Sequence, residues 1–164
     1  MHTHPYDKLT LDNGASLIFT PCPGTKGVDL TSSIQQLKAA GAQAIVTLMY
    51  DAEMKNNQAN DLPIVCNKHS VQWFQLPIPD DDAPNEVFAT AYKSHISCML
   101  SILRNQGTVV VHCKGGSGRT GLIIGILMYE LSYKKAEILS LIKKYAQKHS
   151  LTQHNFHFSM SFKK

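Results

Sequence analysis

The chain lacks any long apolar run of the kind that spans a lipid bilayer, and only two of its 164 residues are arginine, Arg104 and Arg119. Met1-His2-Thr3-His4-Pro5 has neither the charge nor the apolar core of a secretory signal, which predicts a cytoplasmic protein with reduced thiols and no membrane partner. Its four cysteines, Cys22, Cys66, Cys98 and Cys113, form no C-x-x-C pair, and its eight histidines show no metal-ligand spacing. Neither a metal nor another cofactor is expected. The net charge of +4 is modest and mostly lysine. Lys134, Lys135, Lys143 and Lys144 share one helix face with no aromatic residues alternating among them, so they predict a solvated face rather than a nucleic-acid surface. No repeat or Gly/Pro/Ser-rich linker divides the chain, and a hydrophobic fraction of 43% is that of an ordinary globular domain, here taken as one unit over residues 1–164.

What is present concentrates at Val109-Val110-Val111-His112-Cys113-Lys114-Gly115-Gly116-Ser117-Gly118-Arg119-Thr120-Gly121. A β-branched run typical of a buried parallel strand leads into a glycine-rich loop, and Leu122 to Leu131 is apolar enough for a buried helix. A loop at a helix N-terminus presents unpaired amides and the positive end of the dipole, so Lys114, Gly115, Gly116, Ser117, Gly118 and Arg119 can ring a phosphate dianion. Gly115, Gly116 and Gly118 let the backbone curl. The same field favours the ionised sulfur of Cys113, making it a nucleophile. Arg119 adds a planar fork for two phosphoryl oxygens, and the Thr120 hydroxyl can donate to the sulfur when it leaves in a second step. His112, closing the strand, is expected to order the loop.

Three plainer explanations compete. A lone cysteine is usually a small buried hydrophobe, which suffices for Cys22, Cys66 and Cys98; for Cys113 an arginine at the required offset in a glycine loop argues otherwise. Gly116-Ser117-Gly118-Arg119-Thr120-Gly121 spells a dinucleotide fingerprint, but no strand ending in an acidic residue follows at the proper distance. A phosphate-binding Walker loop needs Lys-Ser or Lys-Thr after Gly121, where Leu122 and Ile123 stand.

Elsewhere, Asp12-Asn13-Gly14 predicts a hairpin with a primed turn. Leu30, Ile34, Leu37 and Ala40 predict a helix capped by Asp29 or Thr31 and ended by Gly41. Ala44 to Leu48 and Val71 to Leu76 read as strands, and Asp51 to Asp61 as loop or weak helix. In the Asp80-Asp81-Asp82 turn, Asp82 or Asn85 is expected to cap the long helix from Asn85 to Gln106, with Pro84 at an early position. Ser132 is placed as cap of a helix from Lys134 to Lys148, with a short helix from Thr152. Trp73 and Phe74 belong to the strand from Val71 to Leu76, with core packing expected of them and a place in a pocket wall as the alternative. The alternation predicts an α/β fold with a central, mostly parallel, twisted sheet, helices on both faces and the phosphate loop at a strand's C-terminal edge.

His112-Cys113 through Arg119-Thr120 resembles the H-C-x5-R-[ST] signature of the cysteine-dependent protein tyrosine phosphatase superfamily, in its small dual-specificity branch. Pro21-Cys22-Pro23-Gly24 before a helix, Pro77-Ile78-Pro79-Asp80 and Gly115-Gly116 are similar to the kinase-associated members of that branch, and the likeness runs from Thr20 to Phe162. It implies a dual-specificity phosphatase fold and a phosphomonoesterase acting on phosphotyrosine and phosphoserine or phosphothreonine in proteins. Cys113, Arg119, Thr120 and Asp80 would be catalytic, with Asp80 as acid and then base. A phosphorylated protein or peptide is the implied partner, with a kinase as a further one, and the protein is expected to act as a monomer. Gln153 matches, weakly, a water-positioning glutamine. The loop also resembles that of the phosphoinositide phosphatases of the phosphatase-and-tensin-homologue type, with Ser117 in place of one of their two loop lysines. Rhodanese-like or arsenate-reducing chemistry and a phospho-residue-binding adaptor remain as alternatives.

Overall fold

The computed structural model describes residues 3–116 and 118–149. Five strands, β1 (Asp7–Thr10), β2 (Ser16–Thr20), β3 (Ala42–Thr47), β4 (Gln72–Gln75) and β5 (Thr108–His112), form one sheet in the order β1-β2-β5-β3-β4. β1 runs antiparallel to β2, and the other neighbouring pairs are parallel. The described helices are α1 (Leu30–Ala39), α2 (Asp51–Asn56), α3 (Leu62–Lys68), α4 (Glu86–Arg104), α5 (Gly118–Glu130) and α6 (Lys135–His149). The mostly parallel α/β sheet with helices on both faces is thus as the alternation of elements predicts.

Side chains alternate across a strand, so each central strand feeds two cores. Leu17, Phe19, Val46, Val109 and Val111 pack with Phe88, Met99 and Leu103 of α4, Leu122 and Ile126 of α5, and Ile138 and Ile142 of α6. Ile18, Ile45 and Val110 point the other way, onto Ile34 and Leu37 of α1, Met54 of α2, and Leu62 and Cys66 of α3. Burial on both faces is why β5 reads as a continuous apolar run. Two residues beyond Ile18, Ile45 and Val110, on the same face, stand Thr20, Thr47 and His112, each with no exposed surface. Thr20 and Thr47 are the register partners of His112 on either side. The second core therefore ends in a row of buried polar side chains at the sheet's C-terminal edge, where the loop after β5 begins.

Several local expectations change. The β1–β2 connection carries a positive φ at Gly14 but not at Asn13, and the Gly14 N–H donates to Leu11 O at 3.0 Å. This is an ordinary turn followed by a left-handed glycine, not a primed turn; Asn13 holds it to α4 by donating to Leu103 O. Asp29 caps α1 by accepting from Ser32 N. Asn85, rather than Asp82, caps α4, with Pro84 outside the helix, while Asp82 accepts from Ala83 N. Ser132 has φ 72 and terminates α5 instead of capping α6, whose first turn is bracketed by Lys134 N donating to Glu137. The stretch from Asp51 contains the one-and-a-half-turn α2, and α3 was not anticipated; Pro63 at its first turn and buried Leu62 and Cys66 are its sequence signal. The helix expected from Thr152, and Gln153, lie outside the described residues.

Candidate active site

The motif cysteine follows β5 directly and lies on the first core's face, 3% exposed. Two donors converge on its sulfur: the Gly116 N–H at 3.3 Å and the Thr120 hydroxyl at 3.2 Å. Thr120 reaches it because α5 begins at Gly118, four residues earlier than the apolar pattern suggests, so Arg119 and Thr120 are in the first helical turn. Ser117 lies outside the described residues. Lys114 and Gly115 are exposed, and Lys114 O accepts from Cys22 N.

The three loop glycines are not equivalent. Gly116 has φ 83, and a Cβ there would stand 2.6 Å from Pro21 N and 2.7 Å from Thr20 C, so the β2–α1 connection presses on the loop where only glycine fits. Around Gly115 a Cβ would meet nothing within 4 Å. Gly118 is helical. The expectation that all three supply curvature narrows to Gly116.

Arg119 is 8% exposed and its fork is closely held. Nη1 donates to Glu53 Oε1 at 2.9 Å and to Ile78 O at 3.1 Å, with Leu48 O at 3.4 Å; Nη2 donates to Glu53 Oε2 at 2.7 Å. Burial acts to lower the Arg119 pKa, but the hydrogen bonds and charge of Glu53, with Cys113 and Asp80, outweigh it, and the net shift is upward. Asp80 Oδ1 lies 3.6 Å from Nη2 with its side chain 65% exposed. Its loop is fastened at the base: Ile78 N donates to Leu48 O at 3.0 Å, and Asn85 Nδ2 donates to the Tyr50 hydroxyl at 3.3 Å. Asp81, next to it, has φ 59.

The family model described as "Tc-R-P: Polymorphic toxin system, DSP-PTPase phosphatase" matches residues 24–130. The chain belongs to this DSP-PTPase family. It is 26% identical over 114 residues to cyclin-dependent kinase inhibitor 3 of Sus scrofa and 25% identical over 114 residues to that of Rattus norvegicus. These alignments take in 67% of this chain and 52% of the relatives, so the chain spans about half the length of the curated relatives it matches. Kinase associated phosphatase, solved with its catalytic-site cysteine changed to serine, superposes with a TM-score of 0.81 at 17% identity, covering 99% of this chain and 95% of that one. A protein tyrosine phosphatase (putative) from Leishmania major gives 0.69 at 15% identity over the whole of both chains. Likeness at such identities establishes the fold.

In this DSP-PTPase chain the fold brings together Cys113, Arg119, Thr120 and, at the rim, Asp80, all singled out by sequence. His112 sits behind them, its Nδ1 3.3 Å from Cys113 O and its Nε2 2.8 Å from Thr47 Oγ1. Burial is complete and drives its pKa from 6.5 down to about 4, so it is a neutral ring. Sequence reasoning missed Glu53, which sits in a stretch read as loop or weak helix. It also missed the carbonyls of Leu48 and Ile78, which no side-chain pattern announces. Cys22, set aside as a core cysteine, lies beside the loop. Its thiol is pushed up to about 12, first by burial and then by the charges of Glu53 and Cys113. Cys66 is raised likewise by burial alone, and Cys98 is exposed. Among the described residues no group of three or more His, Cys, Asp or Glu is placed to hold a metal ion, and no helix is long and apolar enough to cross a membrane.

Proposed function

We propose that this DSP-PTPase is a protein phosphomonoesterase that removes phosphoryl groups from phosphotyrosine and from phosphoserine or phosphothreonine through a phosphocysteine intermediate. One observation carries this: a thiol that accepts from a loop amide and a hydroxyl, at the start of a helix whose second residue is an arginine with a carboxylate at its edge. Cys113 attacks phosphorus in line, while the loop amides from Lys114 to Arg119 and the Arg119 fork hold the three non-bridging oxygens. Glu53, Leu48 O and Ile78 O engage Nη1 and one hydrogen of Nη2, so Nε and the second Nη2 hydrogen are the edge offered to the phosphoryl group. Asp80 gives its proton to the leaving oxygen and afterwards takes one from water, as Thr120 donates to the departing sulfur. Kinases are candidate protein substrates, by analogy with the names of the relatives.

The test is turnover of an aryl phosphate and of a panel of phosphopeptides and phosphoinositides by the purified chain. Cys113→Ser should abolish turnover while retaining substrate binding, because the cradle survives and only the attacking atom changes. In the same assay, Asp80→Asn should slow phosphotyrosyl peptides by about 10²–10⁴-fold and activated aryl esters much less. Near-normal turnover by Cys113→Ser refutes the mechanism, and preference for phosphoinositides over every phosphopeptide refutes the substrate class.

A further inference from the structure

The loop that carries Asp80 leaves β4 and returns into α4, and both of its ends come to the same short stretch of chain, the connection between β3 and α2. At the near end Ile78 N donates to Leu48 O at 3.0 Å. At the far end Asn85 Nδ2 lies 3.3 Å from the Tyr50 hydroxyl. The helix fixes the direction of this second bond. As the cap of α4, the single side-chain oxygen of Asn85 accepts from Val87 N at 3.1 Å and Phe88 N at 3.4 Å. Its NH2 is therefore the half that faces Tyr50, and the hydroxyl accepts. One side chain both starts α4 and ties that start to the chain leaving β3.

Tyr50 is a firm anchor for such a tie. Gln75, at the end of β4, donates from Nε2 to Met49 O at 2.8 Å and to Asp51 Oδ1 at 2.9 Å, so one amide holds both neighbours of Tyr50. Tyr50 O accepts from Met54 N at 2.9 Å as α2 begins, while its side chain makes no capping bond to that helix. Its backbone is thus set by β4 and α2, and its hydroxyl is left for Asn85. Between Ile78 and Asn85 the hydrogen bonds stay inside the loop: Asp82 N donates to Pro79 O at 3.4 Å, and Ala83 N to Asp82 Oδ1 at 2.7 Å. Asp80 reaches beyond the loop in its 3.6 Å ion pair with Arg119.

We propose that Tyr50 is a positioning residue for the general acid: by accepting from Asn85 it latches the far end of the Asp80 loop to the β3–α2 connection. The carboxylate is then presented to the leaving oxygen from a loop closed at both ends. Released at Asn85, residues 79–84 regain backbone freedom that the Ile78 bond alone does not remove, and Asp80 spends less time in reach of the leaving group. The inference rests on the proposed phosphatase chemistry for the role of Asp80. Its structural content concerns the loop alone.

The experiment pairs two readouts in Tyr50→Phe, which keeps the ring and deletes the hydroxyl. One is kcat and KM on a phosphotyrosyl peptide and on an activated aryl phosphate; the other is the rate at which an aspartate-specific endoproteinase cuts the native protein at residues 80–82. An exposed hydrogen bond sits at the weak end of the usual range, so the ratio of closed to open loop should fall about threefold. Cleavage reports the open fraction, and acid-dependent turnover the closed one. The loss of kcat on the peptide multiplied by the gain in cleavage should therefore come to about threefold. KM should change little, and the activated ester, whose leaving group departs unaided, should be much less affected. Asn85→Ser keeps a hydroxyl that caps α4 but is too short for Tyr50; it should match Tyr50→Phe, and the double variant should be no worse than either single one. Asn85→Ser also tests the latch if Tyr50→Phe fails to fold. A parent-like kcat on the peptide in folded Tyr50→Phe overturns the proposal. So does an equal loss on both substrates, which would mean a general disturbance of the site, and so do additive effects in the double variant. If cleavage rises in Tyr50→Phe while Cys113→Ser still turns over substrate, the latch stands and the phosphatase chemistry falls.

Discussion

Glu53 is the residue whose replacement discriminates most sharply between holding the arginine and merely balancing its charge. Glu53→Gln keeps the size of the side chain but turns one of two charge-assisted hydrogen bonds, at 2.9 and 2.7 Å, into a contact between two donors. Breaking a buried ion pair from one side costs about 3–5 kcal/mol when the remaining charge is uncompensated. Here it is partly compensated: Glu53 is 23% exposed, Ile78 O and Leu48 O still accept from Nη1, and the Asp80 carboxylate lies 3.6 Å from Nη2. The loss should therefore be nearer the worth of one charged hydrogen bond, about 2 kcal/mol, and Tm should fall by about 4–8 °C. If the same interaction sets the fork for the transition state, kcat falls by about thirtyfold. Losing a negative charge acts oppositely on ground-state binding, since it leaves the loop more positive, so competitive inhibition by inorganic phosphate should be unchanged or tighter. Glu53→Asp provides the contrast: it keeps the charge but shortens the reach, so it should lose kcat without tightening phosphate. Parent-like kcat in Glu53→Gln would refute a positioning role, and weakened phosphate inhibition with unchanged kcat would mean that the carboxylate shapes binding alone.

Acid should destabilise the fold through His112: its folded pKa of about 4 lies below 6.5, so the unfolded chain takes up the proton first, and stability present above pH 6.5 is lost as the pH falls toward 4, by about 3 kcal/mol for this group. His4, whose pKa burial also lowers, adds in the same direction, and a Tm that is flat between pH 7 and 5 would refute the assignment of a neutral buried ring. Gly116→Ala should destabilise the loop by more than the 1–2 kcal/mol of a left-handed non-glycine, because its Cβ meets backbone at 2.6 Å, while Gly115→Ala should match the parent in Tm and kcat; equal effects of the two would show that the β2–α1 connection does not press on the loop.

The parts of the site that were legible in the sequence are those carried by one continuous segment. Strand, loop and helix N-terminus are consecutive from Val109, so Cys113, Arg119 and Thr120 announce their own geometry. Asp80 was legible only through family likeness, since three adjacent aspartates are physically indistinguishable until the loop is fastened at Ile78. Glu53 was not legible, because what brings it to Arg119 is the pairing of β3 with β5, which sets the start of α2 beside the loop from a distant part of the chain. Gly115 and Gly116 look alike in sequence, but Gly116 alone is left-handed and faces Thr20 and Pro21 across a close backbone contact. The hairpin formed as expected, but its primed turn and the Ser132 cap did not, for a related reason: Asn-Gly and a serine before a helix each suit more than one backbone path, and tertiary contacts choose between them.

Arg119 joins two segments that the proposed mechanism uses in succession. The Ile78 N–H donates to Leu48 O, and the Ile78 carbonyl accepts from Nη1, so the turn that carries Asp80 two residues later is pinned to the end of β3 and to the arginine at once. Glu53 closes the same node from α2. Nη1 faces three oxygen acceptors, from Leu48, Glu53 and Ile78, so a change in the plane of the fork alters its bond to the base of the acid loop. The Glu53 prediction extends accordingly. If the coupling is physical, Glu53→Gln should also change the basic limb of the pH–rate profile, which the proposed mechanism assigns to the general acid, although residue 53 has no part in that assignment. A Glu53→Gln enzyme with reduced kcat but an unaltered basic limb would show that the arginine and the acid loop are set independently.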